Sequence, residues 1–343
     1  MSENGGCFRP LSDDSVFSLD GAETESLWAV LRAKAFSPYS GNGALERFLV
    51  EAATIVQALP AELIRTLVRF RTYGSPDEAI VVRGLLPPHA EYGPTPAHWS
   101  LQAQNKRSFE SELCLAGVTT LLGDLFSFNS EHHGNLIQNV VPQEADPFAQ
   151  TTYGSATFLD WHVEHAFADV RSDYTALLCL RGHPEAATTI APIRAIPLDE
   201  PHRRLLFEAR YLVAPDDEQE CGVVAHGPVA VLTGSPEDPF IRLDPLFMRP
   251  SDPDDGEAAA ALRHIVERIP IGARQHVLVP GDLLVFDNRR VVHGRTAFRP
   301  RFDGTDRWLQ KGFISCSLRR MLVRSRNSRV IDPLEWNRTP STP

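Results

Sequence analysis

Two short apolar runs flank a polar turn in the stretch PGDLLVFDNRRVVHGRTAF, residues 280–298. Apolar runs of this length, bounded by Gly, Pro, Asp and Asn, are typical of β-strands. The same texture fills the chain after residue 150, where further strand candidates are TFLDWHV, YTALLCLRG, ATTIAPI, GVVAHGPVAVLTG, PFIRLD, QHVLVP and RWLQKGFISCSL. EAIVVRGL and GNLIQNVVP precede them. Many short strands separated by turns favour a sandwich or a barrel, so we predict a mainly β protein.

Helical patterns accompany this β region. Apolar residues recur at spacings of three and four, which indicates helices, in residues 23–36 and 43–59. Two helical insertions are predicted at 198–212 and 255–269. The long apolar stretch ELCLAGVTTLLGDLFSF, residues 112–128, is interpreted as one more buried helix.

No internal repeat or low-complexity linker divides the chain, so we predict a single domain over residues 1–343. Within it, a mainly helical part, 1–75, packs against a β core, 76–330, and 331–343 form a tail. Residues 1–20 are predicted to be a loose arm.

The composition argues against several classes of protein. The formal net charge is −10 and no block of Lys and Arg stands out, which argues against nucleic acid or an anionic membrane surface as the partner. The apolar runs fall short of the roughly 20 residues that span a membrane. The N-terminus lacks the order of a secretory signal, and five cysteines without CxxC spacing argue against disulfides and a cysteine zinc site. We predict a cytoplasmic protein with reduced thiols.

The segment TFLDWHVEHAF, residues 157–167, contains the first candidate site. His162 and Glu164 lie two apart, so on a strand they project from the same face. A buried carboxylate without a partner is costly, so either the pair faces water or a cation lies between them. His293, on a later strand, would complete the two histidines and one carboxylate that bind Fe(II) in many oxygenases.

These segments resemble a known family. WHVEHAF and GDLLVFDNRRVVHGRTAFRPRFDGTDRWLQKGFI look like the clavaminate synthase-like branch of the Fe(II)/2-oxoglutarate dioxygenases, within the taurine-dioxygenase-like superfamily. The resemblance spans roughly residues 75 to 330 and is most specific over 280–314. It implies a double-stranded β-helix core of the jelly-roll, cupin-like type. It also implies Fe(II), 2-oxoglutarate and O₂ as cofactors, with His162, Glu164 and His293 as the metal ligands.

The resemblance also implies residues that bind 2-oxoglutarate. An Arg about fourteen residues beyond the second His grips the far carboxylate in this branch, which corresponds to Arg307 here. A strand Thr assists it. Thr189 is the candidate and Thr188 the fallback, because only one of two successive strand residues points inward. Lys311 stands where several relatives carry a second Arg, which leaves open whether it contacts 2-oxoglutarate or the substrate.

The branch mostly hydroxylates free L-amino acids such as Arg, Lys or Asn at C3 or C4, while 2-oxoglutarate is converted to succinate and CO₂. A small-molecule amino acid is therefore the implied partner, and an acid at Asp244 would favour a basic side chain. Gln138 and Ser155 are polar candidates at the mouth of the site. Glu164 could also accept the substrate ammonium through its second oxygen.

Several other residues and functions stay open. The sequence predicts that His165 faces solvent or supports the site, and that His132 and His133 form a solvated turn. For DNRR, residues 287–290, two interpretations stay open: a simple turn, or a turn whose Asn288 and Arg289 orient His293. Alternatives to a free substrate are a carrier-tethered or peptidyl amino acid, and desaturation or cyclisation could replace hydroxylation. A cupin-like metal-binding protein without oxygenase activity and a non-catalytic β-sandwich are the rival classes. Whether the chain forms a homo-oligomer is open.

Overall fold

The computed structural model describes residues 8–40, 43–87, 91–101, 106–215, 226–325 and 328–333. Its α-helices are α1 (Gly21–Lys34), α2 (Ala44–Thr54), α3 (Ala61–Tyr73), α4 (Glu110–Thr119), α5 (Glu200–Leu206), α6 (Gly256–Gly272) and α7 (Leu318–Arg324). Short 3₁₀ turns lie at Asp13–Ser15, Ile55–Ala58, Trp99–Leu101, His132–Gly134 and Ile193–Ala195.

The strands are short, as the sequence predicts. They are β1 (Arg9–Pro10), β2 (Val16–Ser18), β3 (Ala79–Arg83), β4 (Asp124–Phe128), β5 (Ile137–Val140), β6 (Leu159–His162), β7 (Tyr174–Arg181), β8 (Ala187–Pro192), β9 (Tyr211–Val213), β10 (His226–Val229), β11 (Leu232–Ser235), β12 (Asp238–Ile241), β13 (Met248–Pro250), β14 (Arg274–Val277), β15 (Leu283–Asp287), β16 (Val291–Arg295), β17 (Trp308–Ser315) and β18 (Val330–Ile331).

Two main sheets face each other across the core. The larger has the strand order β18-β4-β17-β7-β15-β3-β2, with β5 also paired to β17, and the smaller has the order β1-β14-β8-β16-β6. Their inner faces share one apolar cluster, in which Leu177, Leu284 and Leu309 of the larger sheet meet Ile190 and Val291 of the smaller one. The predicted β architecture is confirmed as a jelly-roll, double-stranded β-helix core with helical additions.

The helices cover the outer faces of the two sheets. Helices α1 to α4 pack on the larger sheet, where Leu27 and Phe48 share a cluster with Val285. Helices α5 and α6 cover the smaller sheet, where Ile265 shares a cluster with Val292. The smaller sheet is therefore buried on both faces, which is why its sequence lacks a clean alternation. No helix among the described residues is long and apolar enough to cross a membrane.

Local signals set where helices begin. Asp20 Oδ1 accepts a hydrogen bond from the Glu23 amide at 2.8 Å, and Glu23 Oε2 accepts one from the Asp20 amide at 3.1 Å. This reciprocal capping box starts α1. Asp255 starts α6 by accepting from the Ala258 amide at 2.9 Å.

One predicted helix is only partly correct. The stretch 112–128 contains α4 and then the strand β4, so a single buried helix over its whole length is wrong. The chain turns at Gly123, where a Cβ would lie 2.4 Å from the Ser315 carbonyl oxygen. This close approach brings β4 beside β17. A continuous apolar run does not distinguish a buried strand from a buried helix, which explains the error.

The predicted loose arm is also wrong in part. Of residues 8–20, which the structure describes, β1 pairs in parallel with β14 and β2 pairs in parallel with β3. Strands of two and three residues are too short to leave a periodic pattern in the sequence. The single-domain organisation stays a prediction.

The packing of α4 against α2 predicts that Gly117→Ala destabilises the protein. An added Cβ would lie 2.7 Å from the Ile55 Cβ and 2.8 Å from the Ala52 carbonyl oxygen. Overpacking of this kind costs about 1–3 kcal/mol. Urea unfolding of both variants should give a lower free energy of unfolding for Gly117→Ala than for the control Gly21→Ala, whose Cβ would meet nothing within 4 Å. Equal stability of the two variants would contradict the close helix contact.

Candidate active site

Strand pairing brings the predicted histidines together. In the antiparallel pair β6–β16, His162 lies directly opposite His293. Directly opposed residues share one face of a sheet, so both imidazoles project toward the core, with ring centroids 4.3 Å apart. Glu164 follows just beyond the end of β6, and its Oε1 lies 3.3 Å from His293 Nε2. One ligand atom from each of the three residues lies within 4.8 Å of the others.

The surroundings set the protonation of this cluster. The Asp160 carbonyl lies 2.7 Å from His162 Nδ1, and because a carbonyl only accepts, Nδ1 carries the proton and Nε2 is free to bind a metal. Burial lowers the pKa of His293 to about 4, so its imidazole is neutral at pH 7. Burial alone would raise the pKa of Glu164, but Lys311 and both histidines hold it well below its usual value.

Two imidazoles and one carboxylate form the donor set that suits Fe(II) in oxygenases. Metal ligands must be deprotonated, which burial favours for His293 and the neighbouring cation Lys311 favours for Glu164. The Glu164 side chain is only 7% exposed, so a divalent cation would also supply the positive charge that a buried carboxylate needs. The residues present therefore fit the metal that the resemblance implies.

A second group of metal-type ligands lies between α5 and α6. His202 Nδ1 is 2.7 Å from Asp199 Oδ1, and His264 Nε2 is 3.6 Å from Asp199 Oδ2. The two imidazole rings are stacked, with centroids 4.2 Å apart and an interplanar angle of 11°. An imidazole binds a metal in the plane of its own ring. Because these two planes are nearly parallel and stacked, they do not meet near the rings, so the rings as placed cannot bind one ion together.

The register of the smaller sheet decides between the two threonines. Arg295 pairs with Thr188, His293 with Ile190, and Gly294 with Thr189. Thr188 therefore lies on the same face as His293, and Thr189 lies on the opposite face. The prediction that favoured Thr189 is corrected on this point, because the inward threonine is the fallback.

Arg307 lies immediately before β17 and is 5% exposed. Burial lowers the pKa of its guanidinium to about 10, so it stays charged at neutral pH. Among the described residues it has no hydrogen bond or ion pair. Arg307 and Arg295 flank the same ring, Phe298, at 5.9 and 4.9 Å, and Arg295 is the strand partner of Thr188. The Thr188 hydroxyl is also buried without a hydrogen-bond partner in the described part of the chain. Arg307 lies two residues before Leu309, and Thr188 two residues before Ile190, so both side chains lie on the inner side of the two sheets. A buried guanidinium and a buried hydroxyl, both without partners in the described part of the chain, are groups that can bind an anion.

Lys311 has different neighbours from Arg307 and Thr188. Its Nζ is 3.4 Å from Glu164 Oε2 and 3.7 Å from Glu131 Oε2. Burial alone would lower the pKa of Lys311, but these two carboxylates raise it above its usual value. Glu131 also lies 3.1 Å from His165 Nε2. Sequence reasoning did not identify Glu131, since an isolated loop glutamate carries no pattern.

A cavity of about 470 Å³ opens beside the metal-type cluster. Its wall includes carboxylates and a cation that face the same space as His162: Glu131, Asp160, Glu164, Asp244 and Lys311. Asp244 lines this cavity as predicted, while its Oδ1 also accepts a hydrogen bond from the Leu246 amide at 3.2 Å.

Two predicted substrate residues lie elsewhere. The cavity wall formed by the described residues includes neither Gln138 nor Ser155. Gln138 is buried on β5 and donates a hydrogen bond to Ser127 Oγ at 3.3 Å. The Ser155 side chain is buried, and its carbonyl accepts a hydrogen bond from the Phe298 amide at 2.9 Å. The structure places both in the protein interior and not at the mouth.

The structure also corrects the prediction for the turn that contains His132 and His133. His132 is buried at 7% exposure, and its ring lies 4.5 Å from that of Trp99 in the cavity wall. His132 and His133 both have positive φ angles, 44° and 56°, which non-glycine residues seldom adopt. His165 is buried too, with its ring 3.9 Å from that of Phe128. A solvated turn was the wrong prediction for His132, and sequence patterns do not report such backbone angles.

Known proteins resemble this chain over most of its length. The family described as Taurine catabolism dioxygenase TauD, TfdA family matches residues 224–312. Enduracididine beta-hydroxylase of Streptomyces hygroscopicus is 32% identical over 335 residues, which cover 90% of this chain and 94% of that protein. Clavaminate synthase 2 of Streptomyces clavuligerus is 34% identical over 278 residues, which cover 79% of this chain and 84% of that protein.

Solved structures agree with the sequence relatives. Asparagine oxygenase in complex with Fe(II), 2S,3S-3-hydroxyasparagine and succinate has a TM-score of 0.83 and 32% identity, covering 93% of this chain and 99% of that one. The non-heme iron oxygenase OrfP in complex with Fe, succinate and (3S)-hydroxy-L-Arg has a TM-score of 0.82 and 29% identity, covering 92% and 99%. The similarity thus extends over both sheets and the helices that cover them.

The burial of His132 predicts a loss of stability in acid that His132→Phe removes. Burial lowers the pKa of His132 to about 4, below its ordinary value of 6.5. Between these values the unfolded chain binds the proton more readily, so the stability contributed by neutral His132 is present above pH 6.5 and lost as the pH falls toward 4. Phe keeps a ring against Trp99. Urea unfolding at pH 7 and pH 4.5 should show a smaller acid loss in the variant, and an equal loss would contradict the burial of His132.

Proposed function

The chain belongs to the taurine catabolism dioxygenase TauD, TfdA family, and we propose that it hydroxylates C3 or C4 of a free L-amino acid with a basic side chain. It is a 2-oxoglutarate-dependent non-haem iron dioxygenase. The observation that carries the proposed assignment of residues is the pairing of His162 with His293 beside Glu164. His162 and Glu164 line the cavity together with Lys311.

His162, Glu164 and His293 would hold Fe(II), with His162 binding through Nε2. When bound, the iron supplies the oxidation by O₂ that couples conversion of 2-oxoglutarate to succinate and CO₂ with hydroxylation of a C–H bond. The protein's own contribution is to keep the His293 imidazole neutral by burial, to keep the Glu164 carboxylate charged beside Lys311, and to orient the His162 ring through its Nδ1 contact with the Asp160 carbonyl. Burial of the site limits access of water, which favours reaction at the substrate over side reactions.

Arg307 and Thr188 would bind the far carboxylate of 2-oxoglutarate. A guanidinium stays charged when buried and offers a planar fork that matches a carboxylate. The carboxylate would give Arg307 the ion-pair partner that it lacks among the described residues, and would give the Thr188 hydroxyl an acceptor.

Lys311 and Glu131 would hold the substrate as a zwitterion. The Lys311 ammonium would pair with the α-carboxylate, while Glu131 or the second oxygen of Glu164 would accept the α-ammonium and so exchange their contact with Lys311 for one with the substrate. This arrangement favours a free amino acid over a carrier-tethered or peptidyl one, because a tethered substrate has no α-carboxylate to pair with Lys311.

The remaining charges of the cavity favour a basic side chain. Asp160 and Asp244 both line the cavity, and Asp160 is half-buried, which raises the pKa of its carboxylate. A cationic side chain would offset that cost. Asp244 is the proposed partner for the substrate terminus.

Succinate formation tests the proposed reaction. The protein with Fe(II), O₂ and 2-oxoglutarate should form succinate fast with one basic L-amino acid of a panel, and mass spectrometry should show that substrate with one added oxygen. Asp244→Ala should raise KM for it about 10-fold or more, since a hydrogen bond to a charged group is worth about 1.5–3 kcal/mol. The exposed Glu237 lies near β12 and outside the cavity wall, so Glu237→Ala should leave KM unchanged. Slow succinate that no panel member accelerates would contradict the free amino-acid substrate, and no succinate at all would contradict the reaction.

The two threonines form a matched pair for the 2-oxoglutarate site. Thr188→Val should weaken 2-oxoglutarate binding about 10-fold or more, because it removes a hydrogen bond to a charged group. Thr189→Val makes the same chemical change on the opposite face of β8 and should leave this affinity unchanged. Titration of 2-oxoglutarate into the anaerobic Fe(II) protein measures both. If Thr189→Val gave the larger loss, the assignment from the strand register would be wrong.

A further inference from the structure

The backbone of Glu164 is held by one side chain from a distant turn. Glu164 lies beyond the end of β6, so no strand ladder satisfies its peptide groups. Its amide donates to Asn288 Oδ1 at 2.8 Å, and its carbonyl accepts from Asn288 Nδ2 at 3.2 Å. Just after it, His165 has a positive φ of 56°, which turns the chain away. The Asn288 amide thus replaces the strand partner that Glu164 lacks.

Asn288 is itself fixed in place. Its side chain is 0% exposed, and Nδ2 also lies 3.1 Å from Ser172 Oγ. Its backbone amide donates to the Asp173 carbonyl at 2.9 Å. Asn288 follows β15 directly and stands five residues before His293 in the turn that leads into β16. The segment that carries His293 therefore also holds the backbone of Glu164 through two hydrogen bonds.

We propose that Asn288 is a positioning residue that presets Glu164 for metal binding by fixing the Glu164 backbone relative to the His293 strand. This inference rests on the proposed function, in which Glu164 is a metal ligand. It also corrects the sequence prediction for the turn: Asn288 contacts Glu164 and not His293, and Arg289 Nε lies 2.7 Å from Asp173 Oδ1.

The chemistry of the side chain explains why this position holds Asn. Bracketing a peptide group requires one acceptor and one donor on the same short side chain. Asp would still accept from the Glu164 amide but would turn a second oxygen toward the Glu164 carbonyl. Ala would leave both buried peptide groups without partners, which is costly.

The Glu164 carboxylate has separate contacts of its own. Oε1 faces His293 and Oε2 faces Lys311, at 3.3 and 3.4 Å. These contacts orient the side chain but not the peptide from which it starts. Partners that orient metal ligands typically contribute about 10- to 100-fold to metal affinity. Loss of the two hydrogen bonds from the Asn288 side chain to the Glu164 backbone should therefore weaken metal binding measurably.

Anaerobic titration with Fe(II), without 2-oxoglutarate or substrate, tests the proposal. Asn288→Ala and Asn288→Asp should bind Fe(II) about 10- to 100-fold more weakly than the wild type. The control is Asn139→Ala, which removes another fully buried Asn whose Oδ1 accepts from Trp308 Nε1 at 2.8 Å, away from the ligands. It should destabilise the metal-free protein in urea yet leave the Fe(II) affinity of the folded protein unchanged.

The outcomes distinguish failure of the positioning role of Asn288 from failure of the proposed function. Wild-type affinity in folded Asn288→Ala overturns the positioning role, and so does an equal loss of affinity in Asn139→Ala, because the effect would then be one of general stability. If neither Asn288 variant folds, Ser172→Ala decides, since it removes one acceptor of the Asn288 amide: weakened Fe(II) binding supports the proposal and unchanged binding overturns it. Absence of Fe(II) binding by the wild type would instead overturn the proposed function.

Discussion

The antiparallel pairing of β6 with β16 is the constraint on which the candidate site depends. It places His162 opposite His293, and a slip of one residue would turn one imidazole to the outer face of the sheet. The register is held from both sides. Val291 packs inward against the larger sheet, and its neighbour Val292 packs outward toward the helices. A slip would also move Asn288 relative to Glu164, so the hairpin that carries one ligand controls the geometry of another.

Strand alternation along β17 sorts its polar residues by role. Trp308 and Gln310 face the helices, where Trp308 Nε1 donates to Asn139 Oδ1 at 2.8 Å and Gln310 Nε2 donates to Glu112 Oε1 at 2.9 Å. These anchored side chains hold the strand in register. Arg307 and Lys311 alternate with them and face the other way. Arg307 is a buried charge with no ion-pair partner among the described residues, which is costly, so packing elsewhere in the fold has to offset that cost.

The spacing of His162 and Glu164, two residues apart at the end of a strand, allowed them to be predicted as a pair. Arg307 was predicted from the resemblance to the dioxygenase family, because no pattern within one strand links it to His293. The choice between Thr188 and Thr189 could not be made in this way. Strand β8 is buried on both faces and carries one Thr on each, so its alternation carries no sign of which face is inside.

Residues on irregular backbone were harder still to predict. Glu131 and His132 reach the cavity from a turn whose positive φ angles leave no periodic pattern. The partner of Asn288 was also beyond sequence reasoning, because the contact with Glu164 joins residues 124 positions apart. Spacing arguments relate residues within one element or along one hairpin. Contacts between loops depend on how the sheets pack, which the local sequence does not record.

The two buried cations of the site differ in a way that explains how it could recognise its ligands. Arg307 has no carboxylate partner among the described residues, so an incoming carboxylate adds the missing charge without breaking any existing pair. Lys311 already lies near Glu131 and Glu164, so a ligand carboxylate alone would have to compete with both. A zwitterion avoids this competition, because its ammonium can pair with Glu131 while its carboxylate pairs with Lys311. These charges therefore favour a simple carboxylate at Arg307 and an amino acid at Lys311.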